Sequence, residues 1–297
     1  MTIPAIFDRQ LVRRRRERAA RAGHMPDFLL RRAGEEMAER LDSIEREFSP
    51  VVVVGAIPGV FGAMLRGQGG KGPVIEMEAS PSLLPGAQAA LSLVGDEEVL
   101  PFKDASLGLF ASGLTLQFAN DLPGTLVQIR RALKPDGLFL GALLGGQTLA
   151  ELREAFIAAE TELEGGASPR VMPTGDVRDY GALLQRAGFA LPVADSDPVT
   201  VTYASPLALL RDLRAMGGAN ALLDRRKTLL RRATLLRALE IYQQRFAVEG
   251  GRVRASFEII HLAGWAPHES QQKPLRPGSA AARLADALGV KEHKLKG

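Results

Sequence analysis

The sequence predicts an α/β protein with a doubly wound sheet, and three observations carry that prediction. Val51–Val54 is a run of four β-branched apolar residues, the composition of a strand buried on both faces. It runs directly into a glycine-punctuated turn and an apolar stretch with helical spacing, VVVVGAIPGVFGAML, which is how a strand–turn–helix unit reads. Strand-like and helix-like segments then alternate down the chain at the spacing of βα units.

The N-terminal part, 6–48, is helical and polar. FDRQLVRRRRERAARAG and PDFLLRRAGEEMAERLDSIEREF read as two helices, the second with an apolar face of Phe28, Leu29, Met37, Leu41 and Ile44. After Val51–Val54 comes a helix at 60–65, then the loop GQGGKGP and a second strand, PVIEMEAS. DEEVLPF is read as a loop with three acids, followed by a strand at 107–111. DLPGTLVQIRRALKPDGLFLGALLG reads as a helix capped by Asn120 or Asp121, a Pro135-Asp136-Gly137 turn and another buried strand. TLAELREAFIAAETELEGG and VRDYGALLQRAGF add helices, and LPVADSDPVTVTY adds a strand. SPLALLRDLRAMGG and LDRRKTLLRRATLLRALEIYQQRF form a basic helical block before a last strand, RVRASFEIIHLAGWAP. The expected organisation is a basic helical segment at 1–48, a core domain at 49–264 with helical insertions near 148–175 and 205–250, and a polar tail at 265–297.

Composition narrows the chemistry. The chain has 297 residues, 46% of them hydrophobic, which is enough to build a substantial core. It has no cysteine, so disulfides, thiolate metal sites and thiol nucleophiles are excluded. The N-terminal basic run is not followed by an apolar segment, and no stretch reaches the roughly 18 residues of a membrane span. A soluble, unprocessed cytoplasmic protein is the expectation. His24, His261, His268 and His293 are scattered, so no metal site is predicted, and no GxSxG turn marks a serine nucleophile.

Gly55 and Gly59, with an acid at Glu76 or Glu78 about twenty residues on, match a cofactor turn with a ribose-binding carboxylate. The same residues also suit an ordinary tight turn with a solvated strand end. The acids Asp96, Glu97 and Glu98 are placed either to meet an adenine amino group or to solvate a loop. The arginine clusters Arg13 to Arg16 with Arg18 and Arg21, and Arg225, Arg226, Arg231, Arg232 and Arg237, read as solvated helical faces or protein-docking surfaces. Aromatic residues are not interleaved with them, so no nucleic-acid partner is expected.

Taken in order, VVVVGAIPG, VIEMEAS, DEEVLPF and LTLQFANDLPGTLVQIRRALKPDGLFLGALLGGQTLAELR resemble the motifs of class I S-adenosylmethionine-dependent methyltransferases. More narrowly, the chain resembles bacterial relatives of the methyltransferase-like mitochondrial complex I assembly factor, a group near the malonyl-carrier-protein methyltransferases of biotin synthesis. The likeness runs from FDRQLVRRRRERAA to GWAPHESQQKPLRPGS. It implies a seven-stranded Rossmann-like sheet and S-adenosylmethionine as cofactor. Gly55 and Gly59 would then lie under it, Glu76 or preferably Glu78 on the ribose, and Glu97 or its neighbour Asp96 near the adenine. Gln117 falls where relatives usually place a histidine, and Phe118 where they often place tryptophan.

The opening motif departs from the family. Val53 stands where an acid is usual and Ile57 where a glycine is usual. Losing one charge-assisted hydrogen bond costs about 1.5–3 kcal/mol, roughly one to two decades of affinity. The expected function is methyl transfer to an unidentified acceptor, a protein among the candidates, with no catalytic residue identified. The resemblance also implies two alternatives. One is arginine hydroxylation on a respiratory complex I subunit; the other is a non-catalytic assembly role using the basic helices at 205–248.

Overall fold

The computed structural model describes residues 5–55, 60–65, 73–84 and 91–272. Seven strands form one sheet in the order β3-β2-β1-β4-β5-β7-β6. They are β1 Val51–Val54, β2 Val74–Glu78, β3 Leu91–Val94, β4 Leu107–Gly113, β5 Leu133–Leu144, β6 Ala190–Tyr203 and β7 Val253–Trp265. β1 pairs in parallel with β2 and β4, and β7 is antiparallel to both β5 and β6. The order turns back on either side of β1, so β1 and β4 flank the topological switch point, where open α/β sheets build ligand crevices at their carboxyl ends.

Among the described residues there are eight α-helices: α1 Arg9–Arg21, α2 Phe28–Asp42, α3 Val60–Leu65, α4 Leu122–Ala132, α5 Ala150–Glu164, α6 Val177–Ala187, α7 Pro206–Ala215 and α8 Arg232–Phe246. One sheet face is covered by α2, α3, α5, α7 and α8, through side chains such as Met37, Phe61, Phe156, Leu209 and Tyr242. The other is covered by α4 and α6, with Leu126, Ile129 and Leu184 against Phe110 and Phe139. β1 contributes to both cores, Val51 and Val53 to the first and Val52 and Val54 to the second. This is why its sequence shows no polar alternation.

The structure sharpens or corrects several sequence expectations. Asp121, not Asn120, caps α4: its side chain accepts the Gly124 amide at 2.8 Å. Asn120 instead accepts the Ile6 and Phe7 amides, both at 2.7 Å, tying the N-terminal segment to the α4 entrance. The Pro135-Asp136-Gly137 turn is a bulge within β5, where Leu107 pairs with Leu133 but Leu109 pairs with Leu138, and Asp136 has φ 61°. β3 was not recognised from sequence because its four residues are largely exposed at the sheet edge. The basic block is less helical than its spacing suggests, since residues 222–231 lie outside helices and α8 begins at Arg232.

Arg225, Arg226 and Arg237 of the second arginine cluster are neutralised within the chain, while Arg231 and Arg232 have no acidic partner among the described residues. Arg226 pairs with Glu164, Arg237 with Glu162 at 2.7 Å, and Arg245 with Glu154 at 2.6 Å, clamping α8 and the loop before it to α5. Arg225 pairs with Asp8 at 3.2 Å. By Cα packing the chain divides into two units, Met1–Pro267 and His268–Gly297. In the second, the described residues include a local turn in which the His268 ring nitrogen and Ser270 hydroxyl lie 2.7 Å apart.

Candidate cofactor and acceptor site

The site grows from the carboxyl ends of β1, β2 and β4. Gly55 leaves β1 with φ +87°, and a Cβ there would sit 2.2 Å from the Gly113 carbonyl oxygen at the end of β4. The end of β1 approaches the end of β4 this closely because Gly55 lacks a side chain, while a Cβ on Gly113 would instead meet Leu30 at 2.6 Å. Gly59 and Ile57 lie outside the described residues. Val53 is fully buried in the apolar core, level with Glu76 on β2.

Glu76 and Glu78 point to the same sheet face but have different surroundings. Glu76 turns under α3: its Oε1 would be 2.2 Å from a Cβ built on Gly62, and it borders neither cavity described below. Glu78, at the very end of β2, is 1% exposed and receives the Arg16 guanidinium at 3.1 Å. Desolvation pushes its carboxyl up to about 7, with Arg16 working against that shift and Glu97 adding to it. Of the two acids, the geometry therefore brings Glu78 to a cavity and leaves Glu76 to the packing of α3.

The acidic loop after β3 is organised by a single guanidinium. Arg9 on α1 donates to Asp96, to Glu97 at 2.6 Å and to Glu98 at 2.8 Å. Glu97 is buried and borders the same small cavity as Glu78, whereas the Asp96 side chain is half exposed. Glu98 supports the loop, accepting the Asn120 amide and, at 3.0 Å, the Asp121 amide. Gln117 is buried just past β4; its Nε2 donates to the Leu114 carbonyl at 2.8 Å and it borders a larger cavity.

That larger cavity is a chamber of about 920 Å³. Gly55, Gly113 and Gln117 lie at its sheet end, and Leu29, Leu152, Phe156 and Phe257 are among its apolar walls. Six arginines border it, Arg15, Arg16, Arg18, Arg170, Arg211 and Arg214, and among the described residues no aspartate or glutamate does. Arg15 donates to the Asn220 carbonyl, Arg16 holds Glu78, and Arg170 is paired with Glu160 over the Phe156 ring. Arg18 on α1, with Arg211 and Arg214 on α7, is exposed and has no acidic partner among the described residues. Sequence reasoning missed Arg211 and Arg214, whose role depends on α7 folding over the chamber. It also missed Arg9 and Arg16, although their seven-residue spacing around Val12 puts all three on one helical face.

The residues suit a nucleoside cofactor. Glu78 Oε2, Ser80 Oγ and Gln117 Oε1 are buried without a hydrogen-bond partner among the described residues. They offer acceptors and one hydroxyl around the strand ends, complementary to ribose hydroxyl and amino donors. Among the described residues, no group of three His, Cys, Asp or Glu side chains is arranged to hold a metal.

Comparison with known proteins bears on the family and the fold. Residues 52–141 match the model of a methyltransferase domain. The chain is 38% identical over 291 residues to "Arginine-hydroxylase NDUFAF5, mitochondrial" of Danio rerio, covering 95% of this chain and 89% of the relative. It is 33% identical over 270 residues to malonyl-[acyl-carrier protein] O-methyltransferase of Xylella fastidiosa, covering 88% and 89%. The chain belongs to the class I S-adenosylmethionine-dependent methyltransferase family. Its fold also matches the YcgJ protein of Bacillus subtilis, with TM-score 0.55 and 14% identity over 80% of this chain and 99% of the other. Members with two different activity names thus share nearly the whole length of this chain. No helix among the described residues is long and apolar enough to cross a membrane.

Proposed function

We propose that this protein binds S-adenosylmethionine with its adenosine end at Glu78 and Glu97, and methylates an acceptor held in the adjoining chamber by an anionic group. The observation that carries the proposal is Glu78, a fully buried carboxylate with one unpartnered oxygen at the end of β2, beside an acidic loop and next to a chamber large enough for a second substrate. When bound, the cofactor supplies an electrophilic methyl group on a sulfonium centre. Glu78 accepts ribose hydroxyls, Glu97 takes the adenine amino group, and Gly55 lets the ligand approach the backbone. The apolar walls exclude water, and positioning of the two substrates supplies the rate enhancement.

The acceptor is assigned from charge. A guanidinium acceptor needs a carboxylate partner, and the chamber border among the described residues carries arginines and no acid. Arg18, Arg211 and Arg214 suit an anionic acceptor, the class to which the malonyl group named for the O-methyltransferase relatives belongs. A second reading, modification of an arginine on a complex I subunit, is favoured by the higher identity to the relatives named arginine hydroxylase. Asp96, Gly59 and Glu76 remain proposed contacts from the family pattern, Glu76 acting at most through α3.

Calorimetric titration with S-adenosylmethionine and S-adenosylhomocysteine tests the first step, and no heat of binding up to millimolar ligand sinks the proposal. Mass spectrometry of malonyl thioesters and arginine peptides after incubation tests the second. A methylene-sized gain on the malonyl thioester supports methylation, whereas an oxygen-sized gain on arginine selects the other reading.

A further inference from the structure

α1 lies between the two cavities. Its Arg9, Val12, Arg13 and Arg16 border a small cavity with Glu78, Ser80 and Glu97, and its Arg15, Arg16, Arg18 and Ala19 border the chamber. Arg16 belongs to both. The small cavity measures about 30 Å³. That is the share of one water in the liquid, whereas small-molecule sites run to roughly 300–1,000 Å³. Among the described residues, the place where Glu78 and Glu97 converge is therefore filled, and α1 fills it.

The contacts that keep α1 there are mainly ionic. Two guanidiniums, Arg9 and Arg16, face four carboxylates, Glu78, Asp96, Glu97 and Glu98, so the seat remains anionic with both in place. α1 buries only Val12 and Ala19, whereas the neighbouring α2, of similar length, buries six residues. A helix with so little apolar burial opens more readily than the core beneath it. Its start is anchored, since Asp8 caps it through the Leu11 amide at 3.0 Å and the Asp8 amide is bonded to the Ala221 carbonyl. At its far end, Gly23 adopts φ +78° with open space around it, a swivel before α2.

We propose that α1 is a strap, closed by Arg9 and Arg16 over the adenosine end of the cofactor site, and that ligand binding opens it. This rests on the cofactor reading given above. The ribose and adenine donors replace the two guanidiniums on Glu78 and Glu97, so ligand and strap compete for the same carboxylates. Because the other flank of α1 forms part of the chamber, cofactor binding also reshapes the acceptor pocket, and the two sites are thermodynamically linked through one helix.

The test compares S-adenosylhomocysteine binding to the full chain and to the double variant R9Q/R16Q by calorimetry. Removing the competitor shifts the population toward the open site, so Kd is expected to fall by about threefold or more. A Kd that is unchanged or higher overturns the strap and makes the arginines supports of the bound ligand. Hydrogen exchange on the wild-type chain gives a second readout that does not depend on the variant folding. Ligand should speed exchange at the α1 amides, and protection or no change there overturns the proposal. If neither protein responds to S-adenosylmethionine or its demethylated product, the cofactor reading itself falls. If both bind but the variant binds more weakly, only the strap does.

Discussion

The arginines of α1 and those of α7 are the same residue type on two helices bordering one chamber, yet their situations are opposite. On the inner face of α1, Arg9 holds three carboxylates and Arg16 one, and although burial alone would lower the Arg9 pKa, its acidic partners raise it overall. On α7, Arg211 and Arg214 face the chamber mouth with no acidic partner among the described residues. A paired guanidinium is part of the protein's internal electrostatics, whereas an unpaired one at a cavity mouth is a recognition element awaiting an anion. Counting arginines in the sequence does not separate these roles; only the neighbours do.

That contrast can be broken at its centre first. Glu78→Ala removes the carboxylate that α1 and the proposed cofactor share, and it is expected to weaken S-adenosylmethionine binding by about tenfold or more, measured by calorimetry. An unchanged affinity would move the ribose contact elsewhere. On the other side, R211A/R214A is expected to raise KM for an anionic acceptor by about tenfold while leaving cofactor Kd unchanged. Equal loss on both ligands would show that α7 shapes the whole site rather than one end of it.

The seam between the two sides is Gly55. Gly55→Ala combines positive φ with a Cβ 2.2 Å from the Gly113 carbonyl, so a stability loss of about 1–3 kcal/mol is expected, read as a lower thermal midpoint. A variant melting with the wild type would mean that the strand ends relax freely. The last test is on pH. Burial raises the Glu78 carboxyl from its ordinary 4.5 to about 7 in the folded protein, so the native state holds the proton more tightly than the unfolded chain. Its contribution to stability is fully present below about 4.5 and is lost as pH rises through about 7. Melting curves across that window should show wild type losing stability relative to Glu78→Gln, and parallel curves would refute the assignment.

The fold was legible where burial wrote a simple pattern. Val51–Val54 and the β4 and β5 runs have no polar alternation because helices cover both faces, and this alone points to the doubly wound sheet. β3 was not legible, since a short, exposed edge strand has neither alternation nor continuous apolarity. For the site, spacing nominated Glu76 and Glu78 alike, because residues two apart in a strand share a face. The packing of Glu76 against Gly62, and the contact of Glu78 with Arg16 beside the small cavity, distinguish them. Arg9 and Arg16 were hidden in a run of similar residues, and their partners lie 62 to 89 positions away along the chain. Long-range charge pairing leaves no local periodicity to read.

Arg16 touches both cavities, and this bears on the turnover cycle. A guanidinium that returns to Glu78 as the spent cofactor loosens offers the buried carboxylate a new partner before it is left bare. Departure then proceeds as an exchange of partners, with the helix closing behind the leaving product. The off-rate is set by how quickly α1 swings home, and a substitution at Gly23 that stiffens the swivel should lengthen product residence time without altering any residue that touches the ligand.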